Sequence, residues 1–288
     1  MRTANFKSAA IAALLSMGLL TGCTNGITNQ KTSNHMDTLN LTQEWDKKFP
    51  QSNKVNHRKV TFKNRYGITL AADLYEPKNI ESKVPAIAVS GPFGAVKEQS
   101  SGLYAQTMAE RGFLTLAFDP SYTGESGGEP RNVASPDINT EDFSAAVDFL
   151  IAHPNVDAKR IGIIGICGFG GMGLNAAAMD TRIKATVAST MYDMSRVNAN
   201  GYFDAEDSAE VRRNKREAMN AIRTRDAQNG TATPGTPGLP TSIKGDEPQF
   251  VKDYFDYYKT ERAFHARAIN SNGAWNPTML FRSSICHC

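Results

Sequence analysis

The chain has 288 residues, of which 40% are hydrophobic, and it carries a formal net charge of +3 at pH 7. This length and apolar content suffice for one sizeable hydrophobic core. Because basic and acidic residues alternate along the chain, the composition excludes an extended basic surface, and we expect no nucleic-acid partner.

The first 23 residues have the layout of an export signal. Two basic residues precede an apolar stretch over 9–20, which is too short for an ordinary membrane span. The stretch ends in Leu20-Thr-Gly-Cys23, which resembles the bacterial lipobox and implies cleavage before Cys23 and lipidation of its thiol. We expect a signal peptide over 1–23 and a lipid-anchored protein of the bacterial cell envelope. Since Thr24 rather than Asp follows, the resemblance favours the periplasmic face of the outer membrane in a Gram-negative cell. A plain secretory signal is the alternative.

A polar stretch over 24–50 is predicted to form a flexible tether to a folded domain over 51–288. Alternating apolar and polar residues over 59–62 and 68–75 then predict an antiparallel hairpin. Continuous apolar runs predict strands that are buried on both faces, and these runs are Val84–Val89, Phe113–Phe118, Arg160–Gly165 and Ile183–Ser189. Helical segments separate them. The pattern predicts an α/β fold with a mostly parallel sheet, helices on both faces and a ligand site at the carboxyl ends of the strands.

The most informative motif is Gly165-Ile-Cys-Gly-Phe169, at the end of the third apolar run. It has the G-x-nucleophile-x-G layout of a nucleophile elbow, with cysteine where serine is usual. The glycines suit a strained strand-to-helix turn, in which a neighbouring Cβ would clash. We predict that Cys167 is a nucleophile and that the start of the following helix favours its thiolate. The alternative is a small buried hydrophobic residue at a glycine-rich turn.

Two further loops complete a family pattern. The loop Ser90-Gly-Pro-Phe-Gly-Ala95 follows the first apolar strand, and Asp119–Gly128 resembles an Asp-x-x-Gly-x-Gly-x-Ser-x-Gly loop with one substitution near its centre. With the elbow, these motifs over about 59–195 resemble those of α/β-hydrolases. Among these, they are similar to the dienelactone-hydrolase-like bacterial proteins that use a Cys nucleophile.

The resemblance implies an α/β-hydrolase fold and hydrolysis of carboxylic esters, lactones or thioesters through an acyl group on Cys167. The oxyanion would be stabilised by the backbone N–H of Gly168 with that of Phe93 or Gly94. The expected partner is a small-molecule acyl substrate. We expect no cofactor, because the sequence has neither a dinucleotide loop after the first parallel strand nor a set of metal ligands. A non-catalytic binding protein and an acyltransferase are the alternatives.

The pattern changes after the fourth apolar strand, and we expect a helical lid insertion over about 197–268. The aromatic stripe of the predicted helix over 247–259 is interpreted as core packing. Near the predicted site, Lys97 and Glu98 are interpreted as a solvated helix start, and Asp119 as fixing its own loop.

The usual triad acid and histidine are hard to place. The fold resembled here has an acid after its seventh strand and a His after its eighth, and the sequence ends at Cys288 without either. We expect truncation or a frameshift that removes the last strands and impairs activity. The alternative is a rearranged triad, with Asp193 as the acid and His265 or His287 as the base.

Overall fold

The computed structural model describes residues 39–277. The predictions for the signal peptide, the lipid anchor at Cys23 and His287 lie outside these residues. Within the described range, no helix combines the length and apolar character needed to cross a membrane.

A six-stranded mixed sheet forms the centre of the molecule. Its strands are β1 Val55–Lys63, β2 Thr69–Pro77, β3 Val84–Ser90, β4 Leu114–Phe118, β5 Val156–Ile166 and β6 Ile183–Ser189. They lie in the order β1-β2-β4-β3-β5-β6. The pairs β1–β2 and β2–β4 are antiparallel, and the remaining neighbours are parallel. The predicted hairpin and the mostly parallel sheet are therefore confirmed.

Helices cover both faces of this sheet. The strands alternate their side chains between the faces, so that β5 presents Ile163 to one apolar cluster and Ile164 to the other. The first cluster packs against α2 Pro136–Ala152 and α3 Gly168–Met179, and the second packs against α1 Ser100–Ala109. Each large apolar side chain buried in this way contributes roughly 1.5–3 kcal/mol of transfer free energy.

The segment after β6 contains helices of 4 to 21 residues and one small ribbon. These elements are α4 Met194–Asn200, α5 Ala209–Asn229, β7 Thr236–Pro237, α6 Gln249–Lys259, α7 Ile269–Asn272 and β8 Ala274–Trp275, with a single 3₁₀ turn at Tyr202–Asp204. Strands β7 and β8 pair in antiparallel fashion. The helix predicted over 247–259 thus corresponds to α6.

Residues 39–50 differ from the expected tether, because they pack against the domain. The Phe49 side chain is buried and joins the apolar cluster below α1, and Trp45 packs against the same cluster. The buried ammonium of Lys47 lies 2.9 Å from a carboxylate oxygen of the equally buried Asp73. Two aromatic rings and a buried ion pair outweigh the polar composition that suggested a free linker.

Lys97 and Glu98 also differ from the expectation of a solvated helix start, since both side chains are 0% exposed. The Lys97 Nζ lies 2.6 Å from Glu98, 2.9 Å from Asp119 and 2.6 Å from Glu125. Arg267 also contacts Glu98, at 3.0 Å. We call these five residues the Lys97 network. They are buried because each charge has an opposite charge within hydrogen-bonding distance, which offsets the loss of hydration.

Replacing Lys97 with Met should lower the free energy of unfolding by about 3–5 kcal/mol, because it leaves buried carboxylates without their cation. Urea denaturation at pH 7 measures this change. Lys184 is a matched control, since its exposed ammonium contacts only the Thr181 carbonyl, at 2.7 Å. Lys184→Met should shift stability by no more than about 0.5 kcal/mol. Equal losses in both variants would contradict the role given to the network.

Acid should destabilise the protein through Glu98 and Glu125. Burial raises the pKa of each carboxyl, but the Lys97 charge and neighbouring basic groups outweigh it and hold each pKa at about 2, below the usual 4.5. A carboxyl with a lowered folded-state pKa stabilises the fold above its unfolded pKa and loses this effect as the pH falls towards its folded pKa. The melting temperature should therefore fall most steeply between about pH 4.5 and 2. The Glu125→Gln variant should show a shallower fall, and an identical profile would refute the assignment.

Candidate active site

Cys167 occupies the turn between β5 and α3. Its backbone has φ 56° and ψ −125°, a conformation that a non-glycine residue adopts at a cost of about 1–3 kcal/mol. The turn is held on both sides by backbone hydrogen bonds. The Cys167 N–H donates to the Ser189 carbonyl at 2.9 Å, and the Gly170 N–H donates to the Cys167 carbonyl at 2.9 Å. The sheet and the helix therefore fix the strained residue between them.

Two glycines permit this close strand-to-helix turn. A Cβ on Gly165 would lie 2.3 Å from the carbonyl oxygen of Phe169. A Cβ on Gly168 would lie 2.6 Å from the Met194 side chain and 2.9 Å from the Cβ of Phe93. The steric reason inferred from the sequence for these glycines is thus present in the structure.

The structure brings Cys167, Gly168 and Phe93 together. The backbone N–H groups of Gly168 and Phe93 both lie close enough to the Cys167 sulfur to lower the pKa of its thiol. Gly168 begins α3, and Phe93 lies in the loop after β3, so two separate elements supply the pair of donors. Two N–H groups that converge on one nucleophile have the arrangement needed to bind an oxyanion at the same place.

The Cys167 thiol does not have the acidity expected from its place at a helix start. Burial raises its pKa above the usual 9.0, and the N–H groups of Gly168 and Phe93 only partly oppose this shift. The physical reason is that the thiol is largely buried, where a charged thiolate loses hydration. At neutral pH the residue is therefore mainly a thiol.

Cys167 opens onto a cavity of about 510 Å³. Four tyrosines contribute to its lining, together with aliphatic and aromatic side chains; the tyrosines are Tyr192, Tyr202, Tyr254 and Tyr258. Tyr254 and Tyr258 belong to the aromatic stripe of α6. Tyr258 is buried, in agreement with the expected core packing, and the stripe also lines the cavity. The size and the mixed apolar and hydroxyl lining suit a small organic acyl group.

Polar contacts in the cavity come mainly from the segment after β6. The Tyr192 and Tyr254 hydroxyls lie 3.5 Å apart. Glu206 and Lys215 also line the cavity and form an ion pair at 2.5 Å. The one carboxylate lining this cavity in the part of the chain described is thus already paired.

Asp193 and His265, the suggested substitutes for a triad acid and base, are not brought to Cys167. Asp193 begins α4, where its carboxylate accepts the Arg196 N–H at 3.0 Å. His265 is buried beside Asp46, with 3.6 Å between its Nε2 and a carboxylate oxygen. Burial lowers the pKa of His265. Neither residue lines the cavity.

The other described histidines have partners elsewhere. His57 lies 2.7 Å from Asp73, and His153 lies 3.4 Å from Glu76. Across residues 39–277, no histidine lines the cavity that contains Cys167. The described part of the site therefore comprises the Cys167 thiol and the two nearby backbone N–H groups of Gly168 and Phe93.

One group of carboxylates has a spacing that suits a cation. Oxygen atoms of Asp46, Glu98 and Glu125 lie within 4.8 Å of one another. Arg267 contacts all three, at 2.5, 3.0 and 3.5 Å respectively. Because Arg267, Lys97 and Lys59 together already pair with these three carboxylates, we assign no metal to them.

Several cavity residues carry no motif that would reveal them in the sequence. Tyr192 lies just before α4, and Tyr202 lies just after it. Asn270 lies in α7, and Trp275 lies in β8. The aromatic residues of α6 were the available sequence signal for the cavity, since they lie in the predicted lid segment after β6. Their periodicity fits a buried core equally well, which is why it did not identify the cavity.

A family model described as X-Pro dipeptidyl-peptidase (S15 family) matches residues 66–279. PA2218 of Pseudomonas aeruginosa is 59% identical over 283 residues, which cover 96% of this chain and 76% of that protein. The thiohydrolase aneE of Aspergillus aculeatus is 33% identical over 132 residues, 46% of this chain and 41% of its own length. The polyketide transferase ATR5 of Stachybotrys chlorohalonatus is 33% identical over 190 residues, 66% of this chain and 58% of its own length.

Solved structures agree with the architecture. The crystal structure of PA2218 has a TM-score of 0.82 and 62% sequence identity, and covers 87% of this chain and 77% of that chain. The crystal structure of the α/β hydrolase GrgF from Penicillium sp. sh18 has a TM-score of 0.56 and 22% identity, and covers 80% of this chain and 77% of that chain. These similarities confirm the predicted α/β-hydrolase fold.

Alkylation of Cys167 by iodoacetamide should accelerate with pH and reach half its maximal rate above pH 9, because burial raises the thiol pKa. Mass spectrometry of the peptide that contains Cys167 follows the reaction separately from other cysteines. A short cysteine peptide with an ordinary thiol is the reference. Half-maximal alkylation below that of the peptide would contradict the assignment.

Proposed function

The chain belongs to the S15 family of X-Pro dipeptidyl-peptidases and has the α/β-hydrolase fold, and on this basis we propose that it is a thioester-cleaving acyl-transfer enzyme. The observation that carries the proposal is the position of the Cys167 thiol. It lies beneath the N–H groups of Gly168 and Phe93 and faces a cavity of about 510 Å³. This arrangement supports nucleophilic attack on a carbonyl carbon.

The proposed first step transfers the acyl group to Cys167. The thiol loses its proton to solvent, and the sulfur forms a bond to the carbonyl carbon while the carbonyl π electrons move to oxygen. The N–H groups of Gly168 and Phe93 stabilise that negative oxygen, and losing one such donor typically costs about 2.7–4 kcal/mol in the barrier. The carbonyl re-forms as the bond to the leaving thiolate breaks, and this thiolate takes a proton from solvent.

The second step releases the acyl group from Cys167. Water attacks the enzyme thioester, and its oxygen remains in the carboxylic acid while Cys167 leaves as a thiolate and regains its proton. A substrate hydroxyl in place of water gives an ester by the same course. Hydrolysis and transfer therefore share the acyl-enzyme and differ only in the acceptor.

A thioester suits this site better than a peptide because of the leaving group. A leaving amine requires a proton from a general acid, the task of histidine in a Ser-His-Asp triad. No histidine lines the cavity in residues 39–277. A thiolate leaves without protonation because its pKa is close to that of the attacking thiol. Carboxylic esters and lactones, as the resemblance to dienelactone hydrolases implies, present the same carbonyl but a poorer leaving group.

The cavity lining and the relatives support an organic acyl chain. Four tyrosines and several apolar side chains line the cavity, so the lining combines apolar surface with hydroxyl groups that can hydrogen-bond to oxygen atoms on a substrate. A thiohydrolase and a polyketide transferase are among the relatives of this chain. Both names describe proteins that act on acyl groups, in agreement with the proposed chemistry.

The test is to incubate the full chain with an acyl N-acetylcysteamine thioester at pH 8 and to measure intact and peptide masses. We expect an adduct of the acyl mass on the Cys167 peptide and steady release of free acid. With an added alcohol, an ester product would identify acyl transfer.

Two variants make the result specific. Cys167→Ala should form no adduct and show only the uncatalysed rate, whereas Cys167→Ser preserves the size of the side chain and should form at most a slowly hydrolysed ester. The proposal fails if the wild type forms no adduct and releases no acid. It also fails if Cys167→Ala releases acid as fast as the wild type. Tight binding of the thioester without turnover would favour a non-catalytic binding protein.

A further inference from the structure

We propose that Asn270 is a positioning residue that holds the Phe93 N–H in place for the carbonyl oxygen of the substrate. This inference rests on the acyl-transfer function proposed above. It concerns a residue outside every motif of the family pattern, on the four-residue helix α7, close to the end of the described chain.

Asn270 hydrogen-bonds to two consecutive carbonyl groups of the loop that carries Phe93. Its side-chain Nδ2 donates to the Phe93 carbonyl at 2.8 Å. Its backbone N–H donates to the Gly94 carbonyl at 3.0 Å. One residue therefore satisfies two carbonyls of a loop that lies outside the β ladder, where each would otherwise lack a strand partner.

A turn fixes the other side of Phe93. The Ala95 N–H donates to the Pro92 carbonyl at 3.0 Å, and Gly94 has φ +80°, as the third residue of a type II turn requires. The Phe93 N–H belongs to the same rigid peptide unit as the Pro92 carbonyl. The direction of this N–H is therefore set by the turn on one side and by Asn270 on the other.

The packing of Asn270 is as close as the loop allows. A Cβ on Gly94 would lie 2.4 Å from the Asn270 Oδ1, so that only glycine leaves room for the amide. Trp275 lies on the same return segment and stacks on the Phe93 ring, with ring centroids 4.3 Å apart. The chain segment that carries Asn270 and Trp275 therefore contacts this loop at the Phe93 ring and at the carbonyls of Phe93 and Gly94.

A contact of α7 that does not involve the loop of Phe93 provides a control. The Lys259 Nζ donates to the Ser271 carbonyl at 2.9 Å and holds the next residue of α7. Removing this contact loosens α7 without removing the donor to Phe93. Lys259→Met thus separates a general loss of packing from the specific loss of the Asn270 amide.

The test compares Asn270→Asp, Asn270→Ala and Lys259→Met with the wild type at pH 8, using the same N-acetylcysteamine thioester. Aspartate preserves the shape of the side chain but replaces the donor with an acceptor that repels the Phe93 carbonyl. We expect kcat to fall roughly 10- to 100-fold in both Asn270 variants with little change in KM, since an oxyanion donor acts mainly in the transition state. Lys259→Met should retain kcat within about twofold.

A second readout does not depend on turnover. The Phe93 N–H lowers the pKa of the Cys167 thiol, so displacing it should raise the pH of half-maximal alkylation in both Asn270 variants and leave it unchanged in Lys259→Met. Thermal melting of each variant checks that it is folded.

The outcomes distinguish the two proposals. If the wild type has no activity but the alkylation profile shifts only in the Asn270 variants, the acyl-transfer function fails and the positioning role of Asn270 stands. If kcat and the alkylation profile of Asn270→Asp match the wild type, the positioning role is overturned. It is also overturned if Lys259→Met changes both readouts as much as Asn270→Asp does.

Discussion

The buried ammonium of Lys97 is the interaction on which the surroundings of Cys167 depend. Lys97 follows β3 on the same loop as Phe93, and its ammonium pairs with Asp119 after β4 and with Glu125 in the following loop. Arg267 extends these contacts to the return segment that carries α7. Three loops at the carboxyl edge of the sheet are thus tied to one charge cluster. Because Lys97, Glu98 and Asp119 are fully buried, the cluster tolerates little movement of these loops without leaving a buried charge unpaired.

The site combines this rigid support with local strain. Cys167 has a positive φ, and its turn is compact enough that two flanking positions accept only glycine. A thiol held in this way presents its sulfur to the cavity without the conformational search that a flexible loop requires. The donors of Gly168 and Phe93 are equally fixed, one by the start of α3 and the other by its turn. Together they form a preorganised pair of donors in a cavity that is lined by apolar side chains and tyrosine hydroxyls.

The sequence was sufficient for features that depend on local geometry. The hairpin, the buried strands and the elbow follow from periodicity and glycine placement, which act over a few residues and survive any tertiary context. The burial of Lys97 and Glu98 was not predictable in this way, since it depends on carboxylates contributed by loops more than twenty residues further along the chain. The same holds for residues 39–50, whose polar composition concealed Trp45 and Phe49.

The cavity residues illustrate the same limit of prediction from sequence. An aromatic stripe on α6 is compatible with a core or with a cavity wall, and only the path of the chain between α5 and α7 decides between them. His265 was a candidate base because histidines are few, but its partner Asp46 lies in a distant part of the sequence. Asn270 gave no signal at all, because a single amide gains its importance from the loop that it contacts.

The position of Trp275, which stacks on Phe93 in the cavity wall, makes its fluorescence a probe of the cavity. The chain contains two tryptophans, and the structure places them in separate surroundings. Trp275 lines the cavity, whereas Trp45 donates its indole N–H to the Phe49 carbonyl at 2.9 Å in the segment before β1. With Trp45 replaced by Phe, the tryptophan fluorescence of the protein, excited selectively over that of its tyrosines, would come from Trp275 alone. Its emission would then report solvent access to the cavity, so that ligand entry can be followed without a label on either molecule.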